Sequence, residues 1–234
     1  AIASIGRAFQ DLVVEQCQFL SDEMGELAQN RRSVAINVNG NDCKIRNSRF
    51  VRFGHFMVAN GNGHMISGNH WFQGDSATSG VRFAGLVLTS CNLQVNVTGN
   101  YIDNATIEWT NEHSAYPNYS PQFYSFGGLT ITGNTFLCSN VVPGFSWLVI
   151  KPYGSGQLLQ GLPVMGDVFK CSVGRVTRVD RVDTTIASLN HASARNVVFS
   201  GNSFTGVDVF VANPVTITHP QNTAAAKWVV DTAA

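Results

Sequence analysis

One pattern recurs along this chain and leaves few folds open to it: apolar, any, apolar, small or polar, Gly, Asn, any, bulky apolar. The clearest copies are HMISGNHW (64–71), VNVTGNYI (95–102), LTITGNTF (129–136) and VVFSGNSF (197–204). Their Asn residues are Asn69, Asn100, Asn134 and Asn202. Weaker copies fill the gaps. LPVMGDVF (162–169) sets Asp167 at the Asn position, CKIRNSRF (43–50) has Asn47-Ser48 for Gly-Asn, and LVVEQCQF (12–19) has Gln16-Cys17. The anchors fall at 17, 48, 69, 100, 134, 167 and 202, at intervals of 31, 21, 31, 34, 33 and 35 residues.

Intervals of this size mark solenoids, propellers or arrays. Apolar residues alternate with period two on both sides of the Gly-Asn pair, which predicts strands rather than helices. A propeller blade needs roughly 40 residues, more than the shortest interval of 21. The Leu ladder of leucine-rich repeats is absent. A hairpin sandwich would favour the reverse order, Asn-Gly, for its turns. A parallel β-solenoid remains. Its bends need a residue at positive φ, which Gly adopts freely and Asn tolerates. Stacked coils place equivalent side chains ~4.8 Å apart, where amides hydrogen-bond along a file. Asn69, Asn100, Asn134, Asp167 and Asn202 are therefore expected to form a turn ladder. The bulky residues two places on (Phe19, Phe50, Trp71, Ile102, Phe136, Phe169, Phe204) are expected to stack inside.

Composition agrees and narrows the partners. The chain has 27 Val, 22 Gly and 21 Asn, a mixture that favours strands and turns. Lys plus Arg and Asp plus Glu are 15 each, and charged residues make up 13%. Balanced charge argues against a chain-wide basic field for nucleic acid or anionic lipid. No apolar run approaches the ~18 residues of a membrane helix, so no membrane insertion is expected. Five Cys without a C-x-x-C pair read as buried, reduced thiols rather than a zinc site. The His residues lack metal spacing, and no run of Asp is dense enough for Ca²⁺. No metal or cofactor is expected. A start at Ala1 without a visible signal peptide reads as processing or as a fragment cut from a longer protein, and the abrupt end also looks like a cut.

The Ser/Thr-Gly-Asn-x-bulky copies at 67–71, 98–102, 132–136 and 200–204 resemble the right-handed parallel β-helix of the pectate-lyase-like superfamily. The resemblance covers about residues 12–205. It implies an all-β, single-stranded right-handed parallel β-helix of about seven turns. Residues 1–11 would be the leading edge of a truncated coil. Residues 206–234 would be a last partial coil or the start of a C-terminal region. The superfamily includes pectin-active lyases, polygalacturonases, and phage tailspikes that bind or cleave bacterial surface polysaccharide. Low charge, the odd Cys count and the fragment-like ends look more like the tailspikes, or the spike of a gene transfer agent. The resemblance implies a host-attachment homotrimer that binds capsule or lipopolysaccharide alongside other particle proteins. It would sit on a virion or phage-like particle assembled in the bacterial cytoplasm.

For the site, the insertion EWTNEHSAYPNYSPQFYSFG (108–127) stands out. Pro117 and Pro121 predict a loop. Trp109, Tyr116, Tyr119 and Tyr124, with Glu112 and His113, are candidate sugar contacts, since aromatic faces suit sugar C–H surfaces. Packing against the coil or a neighbouring subunit is the alternative. Asp75, Glu108 and Asp103 are the candidate catalytic acids, because glycoside hydrolysis needs paired carboxylates; solvated surface acids are the alternative. The basic group Lys44, Arg46, Arg49 and Arg52 could meet an acidic sugar. Apolar strands at 81–88 and 145–150 are expected on outer faces, seeking a partner. A polysaccharide-degrading enzyme, a hydrolase before a lyase, is the second functional reading.

Overall fold

The chain winds as a parallel β-solenoid whose bends line up in a file. The structure, a computed structural model, describes residues 2–3, 9–21, 33–73, 84–89, 94–110, 126–139, 141–153, 159–190, 194–211 and 224. Among them there is no helix. Every strand pairing is parallel, and almost every one joins a coil to the next coil along. Each coil crosses three sheets in turn. Sheet 1 includes Val34–Asn41, His55–Asn60, Ala84–Thr89, Thr106–Thr110, Leu148–Lys151 and Asp180–Val182. Sheet 2 includes Val13–Glu15, Lys44–Arg46, Met65–Ser67, Asn96–Thr98, Thr130–Thr132, Leu159–Met165 and Ala194–Ser200. Sheet 3 runs through Gln18–Leu20, Arg49–Val51, His70–Phe72, Tyr101–Asp103, Thr135–Cys138, Val168–Cys171 and Ser203–Thr205.

The repeated pair makes the bend between sheets 2 and 3. The residue before each anchor has positive φ: Gln16 (55°), Asn47 (50°), Gly68 (65°), Gly99 (64°), Gly133 (65°), Gly166 (66°) and Gly201 (66°). Gly supplies this conformation without steric cost, and where Gly is missing a polar side chain tolerates it.

The anchor side chains then bind coil to coil. The backbone N–H of Ser48 donates to Oδ1 of Asn69 (3.0 Å), that of Asn69 to Asn100 (3.0 Å) and that of Asn100 to Asn134 (3.0 Å). The backbone N–H groups of Asn134 and Asp167 continue to Oδ1 of Asp167 (2.7 Å) and Asn202 (2.9 Å). At the other end, the Cys17 N–H donates to Oγ of Ser48 at 3.2 Å. All seven anchors read from the sequence stand in this one ladder. Asn69, Asn100 and Asn134 are 1–2% exposed, so these buried amides need the bonds they make.

Alternation turns every second residue inward. On sheet 2 the inward row is Val14, Ile45, Ile66, Val97, Ile131, Val164 and Phe199, in register and buried. On sheet 3 it is Phe19, Phe50, Trp71, Ile102, Phe136, Phe169 and Phe204. The rings of Phe136 and Phe169 stack at 4.7 Å and 8°, and those of Phe19 and Phe50 at 4.8 Å and 7°. Trp71 meets Phe50 edge-on at 6.5 Å. Full burial of such side chains contributes about 1.5–3 kcal/mol each, and the column repeats in every coil.

The expectation of bare apolar outer faces fails. Leu86, Leu88, Trp147 and Leu148 belong to the core, and Val149, on the outward row of sheet 1, is fully covered. Among the described residues, Cys43, Cys138 and Cys171 are buried thiols and Cys17 is an exposed one.

Candidate functional site

The outer side of sheet 3 carries two rows, fixed by alternation and register. One reads Gln18, Arg49, His70, Tyr101, Thr135, Val168 and Ser203. The other reads Leu20, Val51, Phe72, Asp103, Leu137, Lys170 and Thr205. Successive members are ~4.8 Å apart.

An open cleft of about 550 Å³ lies over these rows, lined by Arg49, Gly68, Asn69, His70, Phe72, Gly99, Tyr101 and Asp103. A second of about 430 Å³, reaching Gln16, Gln18 and Asn47, shares Arg49, Gly68 and His70 with it. Together they run along the coil axis. The His70 and Tyr101 rings meet at 4.9 Å and 87°, and His70 and Phe72 at 6.5 Å and 63°. The cleft thus pairs aromatic edges with one cation, Arg49, and one carboxyl, Asp103.

Asp103 is the unusual member. It holds an outward position between Phe72 and Leu137 in its row, yet is only 7% exposed, and its Oδ1 has no hydrogen-bond partner among the described residues. Burial pushes its carboxyl up to about 6. Near neutrality such a group passes readily between acceptor and donor. The following bend fixes it in place. Asn104, at φ 54°, donates through Nδ2 to Oγ of Ser139 (2.7 Å) and accepts from the Ser139 N–H (2.9 Å). Burial and then the Arg49 charge push the His70 imidazole down, which favours its neutral form. Burial and then the Asp103 charge push the Tyr101 phenol up.

The structure separates the sequence candidates. Asp103 lines the cleft. Glu108 does not: it stands on the outward row of sheet 1 with Val87 and Val149, 8% exposed, beyond the bend at 104–105. Trp109, expected as a sugar platform, is 1% exposed and belongs to the core. The reason is alternation. In Thr106–Thr110 the inward positions are Ile107 and Trp109, in register with Leu86 and Leu88. Asp75, Glu112, His113, Tyr116, Tyr119 and Tyr124 lie outside the described residues. His64 is fully buried, its Nε2 3.3 Å from the Asn60 carbonyl oxygen.

Tyr101 and Phe72 were missed by sequence reasoning, and Arg49 was noted only within the basic group. The signal existed: the residue after each anchor must face outward, one per coil. Among the described residues the cleft holds a single carboxyl, whereas glycoside hydrolysis needs two. The chain matches no protein-family model, no curated protein and no solved structure.

Proposed function

We propose that this solenoid binds a bacterial surface polysaccharide, capsule or lipopolysaccharide, laid along the outer side of sheet 3. The observation that carries the reading is the cleft at His70, Tyr101 and Asp103. It combines ring surfaces suited to sugar C–H groups with a buried carboxyl that has hydrogen-bonding capacity to spare. Rows repeating at each coil suit a polymer aligned with the axis, because neighbouring sugars meet successive rungs.

On this reading the protein is the attachment part of a phage-like spike, a homotrimer beside other particle proteins on a virion surface. What supports it is the resemblance of the Gly-Asn repeat to tailspike β-helices, together with the parallel solenoid. The single carboxyl in the cleft among the described residues favours binding over hydrolysis. The enzyme reading is kept alive by Asp103 itself, whose carboxyl near 6 is poised for proton transfer.

Isothermal titration against purified capsule and lipopolysaccharide tests the binding, with Tyr101→Ala as the control variant. Saturable binding that weakens in the variant supports the reading. Binding that is absent, or unchanged in the variant, overturns it. Release of new reducing ends in the same mixtures would move the protein to the hydrolases.

A further inference from the structure

One rung of the amide ladder is chemically odd. At Asn69, Asn100 and Asn134 the side-chain amide has a fixed set of bonds. Its Oδ1 accepts from the rung before. Its Nδ2 donates both to Oδ1 of the rung after and to a carbonyl of sheet 2 in the coil before: Ile45 (2.9 Å), Ile66 (3.0 Å) and Val97 (3.1 Å) respectively. The next carbonyl in that register is Ile131, and Asn202 in turn donates to Val164 at 2.9 Å.

Asp167 replaces the amide with a carboxyl. Its Oδ1 does what an Asn Oδ1 does, accepting from the Asn134 backbone N–H (2.7 Å) and Nδ2 (2.9 Å). Its Oδ2 takes the place of the amide nitrogen, and there the pattern breaks. The groups that an Nδ2 would meet in this register, the Ile131 carbonyl and Oδ1 of Asn202, are both acceptors. Asp167 is 1% exposed, and Oδ2 has no partner among the described residues. An ionised Oδ2 would set a third buried oxygen against two others, with no donor between them. A proton on Oδ2 restores one of the two donors that an amide nitrogen would supply there.

We propose that the Asp167 carboxyl serves the ladder in its neutral form, where it stands in for an amide, so that the joint between the coils at 167 and 202 is a proton-dependent latch. Below its titration the file of donors is unbroken from Ser48 to Asn202. Above it, the joint carries a buried, unpaired charge and loosens. The strands packed round it carry two charged side chains, Lys170 and Arg195, both exposed; neither contributes to the carboxyl's shift, which burial drives upward to about 6 while hydrogen bonds from Asn134 and from the Met165 backbone oppose it. The inference is independent of what the cleft binds.

The test compares wild type with Asp167→Asn, which restores the amide at equal size, by denaturant unfolding from pH 4 to pH 8. The ratio of their unfolding equilibrium constants is expected to climb in favour of the variant from about pH 4 and to level off by about pH 7, a change of roughly a hundred-fold in all, since two pK units correspond to about a factor of 100. Asp103, present in both proteins, cancels from the ratio. A ratio independent of pH would overturn the proposal. So would a ¹³C carboxyl resonance of Asp167 in the folded protein titrating near 3.8.

Discussion

Oδ1 of Asn100 accepts two hydrogen bonds from Asn69, one from its backbone N–H and one from its side-chain amide, both at 3.0 Å. Asn100 repeats the arrangement on Asn134 at the same distances. Each rung thus satisfies its neighbour's buried polar groups, and each depends on the next. Removing one leaves several donors and acceptors without partners, where burial makes that costly.

Asn100→Ala should therefore be clearly destabilising, since each buried polar group left unpaired costs about 1–3 kcal/mol. Urea unfolding followed by circular dichroism measures it. Asn100→Asp should reproduce the Asp167 situation: close to wild type at pH 4 and markedly weaker at pH 7.

The bend glycines should not be equally replaceable. Gly99 has φ 64° and open space where a Cβ would lie, so Gly99→Ala carries only the conformational cost, about 1–2 kcal/mol. At Gly68 the added Cβ would come 2.6 Å from Oδ1 of Asn47. Gly68→Ala should cost more than Gly99→Ala, and the two unfolding midpoints taken together check the order.

Asp103 should make ligand binding depend on pH. Its folded carboxyl titrates near 6 and its ordinary value is 3.8. The neutral form thus prevails below about 6, and stability is greatest below 3.8 and declines as pH rises through 6. If Asp103 accepts from a sugar hydroxyl, affinity rises over the same interval as the carboxylate forms. Titrations from pH 5 to pH 8 should show that rise in wild type and lose it in Asp103→Asn.

Tyr101 supplies an exposed ring against His70. Aromatic contacts of this kind are worth ~0.5–1.5 kcal/mol, so Tyr101→Ala should weaken polysaccharide binding by about 3- to 10-fold and lower the unfolding midpoint only by what the lost edge-on contact with His70 contributes.

The fold was largely legible because its determinants are local. Gly at 68, 99, 133, 166 and 201 gives the positive φ, and the next side chain makes the ladder, so one dipeptide encodes both bend and stacking. Even Asn47-Ser48 and Gln16-Cys17 could be placed, since Phe50 and Phe19 keep the inward column going. The site was less legible. Trp109 lies at the mouth of a Pro-containing stretch and reads as a loop aromatic, yet a five-residue strand turns it inward. The cleft residues lie one per coil, 21 to 31 positions apart at Arg49, His70 and Tyr101, and only register brings them together. The charge state of Asp103 and Asp167 depends on burial, which no motif reveals.

The central claim is that successive coils lie in register, one upon another. The row Glu15, Arg46, Ser67, Thr98, Thr132, Met165 and Ser200 on sheet 2 gives a ruler along the axis. Spin labels placed at Glu15 and, in separate proteins, at Thr98, Thr132, Met165 and Ser200 should give electron–electron distances that climb by ~4.8 Å per coil, from about 14 Å to about 29 Å. A steady climb that ignores the unequal sequence spacings is the expected result. Distances that fail to rise in order, or that scatter among the four proteins, would contradict the stacked coil.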